Sequence, residues 1–187
     1  MTKINNQISD NTIMNSYPCQ LKDLGLSCYG CCRNGVSSSF SVEKDILENN
    51  SDFKKIYLDS DMSEENLKIF RDRYNIKETL SSGICRNLVD FEGGCKACPL
   101  HPFVNSIVSK SKTIAPSSDL RVGFCDTKFE CDTVKSWSTM NLIQRKQFIR
   151  FLESKNIKNH EYSMSNIDGN LIQEYFRREF EFVEYDE

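Results

Sequence analysis

Nine cysteines in 187 residues constrain this chain more than any other feature, and three of them crowd into one short stretch, SCYGCCRNG, at Ser27–Gly35. They are Cys28, Cys31 and Cys32; the others are Cys19, Cys85, Cys95, Cys98, Cys125 and Cys131. The adjacent pair cannot easily close on itself. Consecutive Cα atoms sit ~3.8 Å apart, whereas a disulfide normally needs ~4.4–6.8 Å. In an extended backbone neighbouring side chains point to opposite sides, so Cys31 and Cys32 can serve two different sites, or two metals of one cluster. Gly30 is expected to let the backbone turn tightly around a bound ion, and Arg33 to offset thiolate charge.

Cys28 and Cys31 form C-x2-C, as do Cys95 and Cys98. One tight turn can then present two sulfurs to one ion, at ~2.3 Å each for zinc. The two pairs stand much further apart than the ~15–20 residues of a zinc ribbon, and the spacing is not that of a ferredoxin. Cys85 and the C-x5-C of Cys125 and Cys131 are the natural completing ligands. Nine thiols suffice for two four-coordinate sites with one to spare. His101, three after Cys98, is either a further ligand or, the favoured reading, a loop histidine held by Pro102; His160 receives no role. A dithiol oxidoreductase ranks below metal binding, because neither C-x2-C has the strand-to-helix context of thioredoxin.

Composition narrows the classes. Charged residues make up 27% and the net charge is −3, so no global basic field draws the chain to nucleic acid or an anionic membrane. No apolar run approaches the ~20 residues of a membrane span. The polar start, MTKINNQISDNTIMNS, lacks the apolar core of a secretory signal. A cytoplasmic protein is expected, and in a reducing compartment such a cysteine set points to metal or redox chemistry before disulfides.

Residues 1–18 read as a loosely ordered arm and 19–187 as one cysteine-cluster domain, cysteine-rich over 19–131 and helical over 136–181. SFSVEKDILENN predicts a helix capped by Ser41. DSDMSEENLKIFRDRYNI predicts another, with a capping box from Asp61 to Glu64 and a stripe of Leu67, Phe70 and Tyr74. TLSSGICRNLVDFEGGC reads as an extended segment or hairpin ending in Gly93-Gly94, and residues 99–124 as mostly loop. STMNLIQRKQFIRFLESKN groups Leu142, Ile143, Phe148, Ile149, Phe151 and Leu152 on one side of a helix. IDGNLIQEYFRREFEF does the same with Leu171, Ile172, Tyr175, Phe176 and Phe180. The expected fold is α+β and mostly helical: a small, irregular, metal-stabilised, loop-rich cysteine half packed on C-terminal amphipathic helices.

With these residues in view, the chain resembles the YkgJ-type cysteine-cluster family of zinc- or iron-chelating domains. The likeness rests on CYGCCRNGVSSSFSVEKDI, where Cys28, Cys31, Cys32, Arg33 and Glu43 match the family pattern. GICRNL around Cys85 and CKACPLHP, with Cys95, Cys98 and His101, resemble its second and third segments. Cys125 and Cys131 fit as late ligands. The family usually carries one more cysteine three before Cys28, where this chain has Gly25; Cys19 is the available substitute. The Arg-Pro-x-x-Cys that often follows the third segment is also missing.

The resemblance implies chelation of iron, including an Fe–S cluster, or of zinc, without a settled reaction. The alternative is a metal- or thiol-dependent oxidoreductase or modification enzyme acting on a partner protein. The sequence holds no Ser/His/Asp set, no glycine-rich phosphate loop and no H-E-x-x-H.

Overall fold

The protein is described by a computed structural model over residues 9–32, 38–74, 80, 82–91, 94–102 and 116–181. Arg33 and the Ser/Lys-rich part of the predicted loop lie outside them. Among the described residues the fold is mostly helical with two small antiparallel hairpins, broadly α+β.

Helix α1 (Asp10–Asn15) leads into strand β1 (Gln20–Leu21), which pairs with β2 (Leu26–Ser27). A 3-10 turn, Gly30–Cys32, follows. Helix α2 (Ser39–Phe53) runs into a π-helical turn, Lys54–Leu58, and α3 spans Glu64–Asp72. Strands β3 (Val89–Phe91) and β4 (Cys95–Ala97) form the second hairpin. The chain ends with α4 (Asp132–Thr139), α5 (Leu142–Lys155), α6 (Asn159–Ile167) and α7 (Asn170–Glu181).

Side-chain caps set the helix starts, a residue or more from where sequence placed two of them. Ser38, not Ser41, caps α2, its hydroxyl accepting the Ser41 N–H at 3.2 Å. Ser63 caps α3, while Asp61, two residues earlier, accepts the Ser63 N–H at 3.0 Å. A full capping box, Asn141 with Gln144, opens α5. Asn156 then ends it at a φ of 50°, a left-handed position that asparagine tolerates.

Among the described residues, three apolar clusters build the interior. The first joins α1, the β1–β2 hairpin and helices α4 to α7, with Trp137, Phe148, Tyr162 and Tyr175 at its centre. Phe148 meets Trp137 and Tyr175 edge-on, at 6.1 and 5.2 Å between ring centroids. The second joins Phe53, Tyr57, Leu67, Phe70 and Val89. The third, Tyr29, Val42, Ile46, Ile84 and Leu88, lies between the start of α2 and the 84–88 loop.

Several expectations shift here. Ile13 is 4% exposed and belongs to the first cluster, so part of the expected N-terminal arm packs on the body; residues 1–8 lie outside the described residues. Tyr162 donates from its hydroxyl to the Pro18 carbonyl, and Arg145 to that of Met14 at 3.0 Å. Ile143, grouped with the core face of α5, is 68% exposed, because it sits in the first turn on the solvent side. Helices α4 and α6 had no clear apolar stripe in sequence; they form because Val134, Trp137 and Tyr162 are drawn into the core.

Candidate metal centre

The β1–β2 hairpin builds the first part of the site. The Cys28 N–H donates to the Cys19 carbonyl at 2.8 Å, extending the ladder so that Cys19 faces Cys28. Gly25 sits in the connecting turn at a φ of +64° with open space where a Cβ would point. Backbone conformation, not crowding, selects glycine there.

Ser27 stitches this hairpin to β4. Its hydroxyl accepts the Lys96 N–H at 2.7 Å and donates to the Lys96 carbonyl at 2.8 Å. Lys96, buried, sends its ammonium to Glu43 and Asp90, each at 3.4 Å. Glu43 thereby ties the start of α2 to the strand that leads to Cys98.

Gly30 lies directly against α6. A Cβ there would fall 2.6 Å from the Ser163 carbonyl oxygen, while Ser163 Oγ accepts the Tyr29 N–H at 3.0 Å. Gly30 is thus required by helix packing, and its φ is not positive. Sequence had assigned it to a turn around an ion.

The second part hangs on α2. Asn49 donates to the carbonyls of Cys85, at 3.2 Å, and Leu88, at 2.9 Å; Asp45 accepts the Ser82 N–H at 2.8 Å. The Cys85 N–H donates to the Cys32 carbonyl at 2.7 Å. Arg73 completes the frame: it pairs with Asp52 at 2.8 Å and donates to the carbonyls of Phe70 and Arg86. Cys98 follows β4, Cys125 follows the turn at Arg121, and Cys131 stands at the N-cap of α4.

These stretches converge. Eight of the nine cysteines line a single cavity of about 680 Å³. It opens where the three clusters meet: Cys28 packs on the first, Cys98 on the second and Cys32 on the third. Cys95 is the exception. It is 9% exposed and donates to Gln20 Oε1 at 2.9 Å, bracing β4 against β1. The Cys95/Cys98 pair is therefore split, because consecutive odd and even positions leaving a strand face different sides. His101 reaches the same cavity, where burial and Arg121 hold its imidazole below the ordinary histidine range.

The electrostatics follow from crowding. Burial pushes the Cys28 thiol up to about 12, and drives Cys19 and Cys98 up as well; neighbouring thiols add to each shift. Cys31, exposed, behaves oppositely: a hydrogen bond with Cys32 holds it down at about 7, assisted by Arg121, while the same contact raises Cys32. Backbone N–H groups are aimed at several sulfurs. Asn87 donates to Cys85 Sγ at 3.4 Å, and the N–H groups of Gly30, Leu100 and Thr133 favour the thiolates of Cys28, Cys98 and Cys131. Val134 and Leu88, three residues after Cys131 and Cys85, act alongside them.

Asn166, 2% exposed on α6, adds a side-chain hydrogen bond to Cys28, and its Oδ1 has no partner among the described residues. Asn166, Arg73 and Arg121 carried no sequence signal, since each reaches the thiols only through tertiary packing.

Among the described residues, no three His, Cys, Asp or Glu side chains converge closely enough to hold a metal ion as they stand. The donor chemistry nevertheless fits a soft metal. Sulfur-rich sets suit zinc and iron–sulfur centres, and N–H groups directed at the sulfurs are the outer contacts that orient thiolate ligands. No helix among the described residues is long and apolar enough to cross a membrane. Comparison with protein-family models, curated proteins and solved structures finds no match.

Proposed function

We propose that this chain is a cysteine-cluster metal-binding protein of the YkgJ type, chelating zinc or iron, the latter as an Fe–S cluster. The observation that carries the reading is the gathering of eight cysteines, from separate stretches of chain, around one cavity. Cysteines serving only as small buried hydrophobes need share no space; Cys28, Cys98 and Cys32 pack on three different clusters, yet all eight line one cavity. Cys19, Cys28, Cys31, Cys32, Cys85, Cys98, Cys125 and Cys131 are the ligands, and Cys95 drops to a structural role. A bound cation neutralises thiolates that otherwise repel one another and links the loop-rich half of the fold, so that binding free energy becomes folding free energy. In this reading the domain is metal-stabilised, its compartment is reducing and cytoplasmic, and nucleic acid is not its partner.

Anaerobic purification followed by a visible spectrum and assays for metal and acid-labile sulfide tests this. A brown protein with iron and sulfide, or a colourless one with stoichiometric zinc, supports it. A second reading, a thiol-dependent enzyme acting on a partner protein, is favoured by one observation: Cys31 is exposed and its thiol is lowered beside Cys32. A metal-free protein whose Cys31 reacts rapidly with thiol reagents would select that reading and overturn the first.

A further inference from the structure

We propose that the exposed side of the thiol cavity binds a small organic anion, its carboxylate or phosphate on the Arg86 guanidinium and its apolar body against Tyr17, Phe124 and Phe129. The site lies beside the thiols and does not depend on whether they hold a metal.

Charge pairing singles out Arg86. Arg71, Arg86, Lys96 and Arg121 line the cavity from wholly or partly buried positions. Arg71 grips Asp72 through Nε and Nη2, at 2.8 and 2.7 Å. Arg121 grips Asp119 in the same way, at 2.9 and 2.8 Å. Lys96 lies between Glu43 and Asp90. Arg86 has no carboxylate partner among the described residues, and its buried Nε has no acceptor there. A buried donor left unpaired costs free energy that a bound anion recovers.

The guanidinium is held in place before any ligand arrives. Its carbon lies 4.3 Å from the centre of the Tyr74 ring, and the Arg86 carbonyl accepts from Arg73. Asp52 accepts from Arg73 Nε and from the Tyr74 hydroxyl, each at 2.8 Å. One carboxylate thus fixes both supports of Arg86. A guanidinium stacked on a ring keeps its edge free, and that edge matches a carboxylate or phosphate with two parallel hydrogen bonds. Fixing it beforehand lowers the ordering cost of binding.

The rest of the cavity suits an organic ligand. Its volume, about 680 Å³, falls within the ~300–1,000 Å³ of small-molecule pockets. Tyr17, Phe124 and Phe129 line it while remaining 51%, 39% and 47% exposed, so an apolar ligand body would remove aromatic surface from water. Asn166 is an independent sign of a guest. It lines the same cavity, is 2% exposed, and its Oδ1 has no partner among the described residues. Such an oxygen is ready to accept from an N–H or O–H of a ligand.

The test is calorimetric titration of the full-length, as-isolated protein with benzoate and with phenyl phosphate, one probe for each anion, in low-salt buffer, with metal content assayed on the same samples. At least one probe should bind one-to-one with a Kd of about 1 mM or tighter. Arg86→Gln should weaken that binding by about tenfold or more. Arg86→Lys, which keeps the charge and loses the fork, should fall between. Lys128→Gln, which removes an exposed cation of the same cavity, should change it by less than about twofold. No binding of either probe at about 10 mM, or equal losses in Arg86→Gln and Lys128→Gln, overturns the proposal. Binding that Arg86→Gln leaves intact marks an adventitious ion only and overturns it too. Should the variants lose native circular dichroism, phenylglyoxal modification of the wild type, mapped by mass spectrometry, decides: protection of Arg86 by the bound probe supports the site, and unchanged modification refutes it. A metal-free protein that binds the probe counts against the metal reading and leaves this one standing.

Discussion

Gly30→Ala concentrates the packing argument in one methyl group. The new Cβ would lie 2.6 Å from the Ser163 carbonyl oxygen and 3.2 Å from Ile167 Cβ. An ordinary non-bonded contact is ~3.5 Å or more, so the Gly30–Cys32 turn must retreat from α6 by roughly 0.5–1 Å. Overpacking of this kind costs about 1–3 kcal/mol. The retreat also stretches the Tyr29 N–H bond to Ser163 Oγ, now 3.0 Å, for about 1 kcal/mol more. With a urea slope of about 1–3 kcal/mol per molar, the unfolding midpoint should fall by about 1 M. The single tryptophan, Trp137, is 3% exposed in the first cluster and reports the transition by fluorescence. Adding Ile167→Ala should not restore the midpoint, because the nearer obstruction is a backbone oxygen. An unchanged midpoint in Gly30→Ala, or recovery in the double variant, would refute the close approach as the reason for glycine.

Arg73→Ala should destabilise by about 3–5 kcal/mol, since it removes the cation paired with Asp52, which keeps only the Tyr74 hydroxyl, and a donor to the side chains of Asn49 and Asn87 and to two carbonyls. Burial acts to raise Asp52, but hydrogen bonds from Arg73 and Tyr74 hold it below the ordinary carboxylate value. That contribution is complete above the unfolded value of ~3.9 and disappears as pH falls through the lower folded value; urea midpoints against pH should show a shallower acid limb in the variant. Tyr162→Phe strands the Pro18 carbonyl, and should cost about 1–3 kcal/mol while speeding proteolysis before β1. Cys32→Ser should lower metal content and thermal stability together, whereas Cys95→Ser should retain full metal, with a midpoint change of at most about 1 kcal/mol from its bond to Gln20.

The sequence by itself determined the chemistry of the candidate ligands and the helical character of the C-terminal part. Both are local properties: C-x2-C and an adjacent pair are read from spacing, and the stripe of Phe148, Ile149 and Leu152 from period. The extended segment or hairpin read as ending in Gly93-Gly94 contains β3, but Gly94 lies in the turn and β4 comes after it. Tertiary structure alone decided which cysteines share a space. Cys95 stays outside the cavity because strand β4 turns it toward Gln20, a residue 75 positions away in sequence, and Cys19, the substitute expected from sequence, lines it because a hairpin ladder sets it opposite Cys28. The role of Gly30 changed for the same reason. Its local conformation needs no glycine, but the backbone of α6 passes where a side chain would stand. Periodicity records what a residue does within its own element; contacts between elements far apart in the chain leave no periodic trace, and the thiol cavity is made of such contacts.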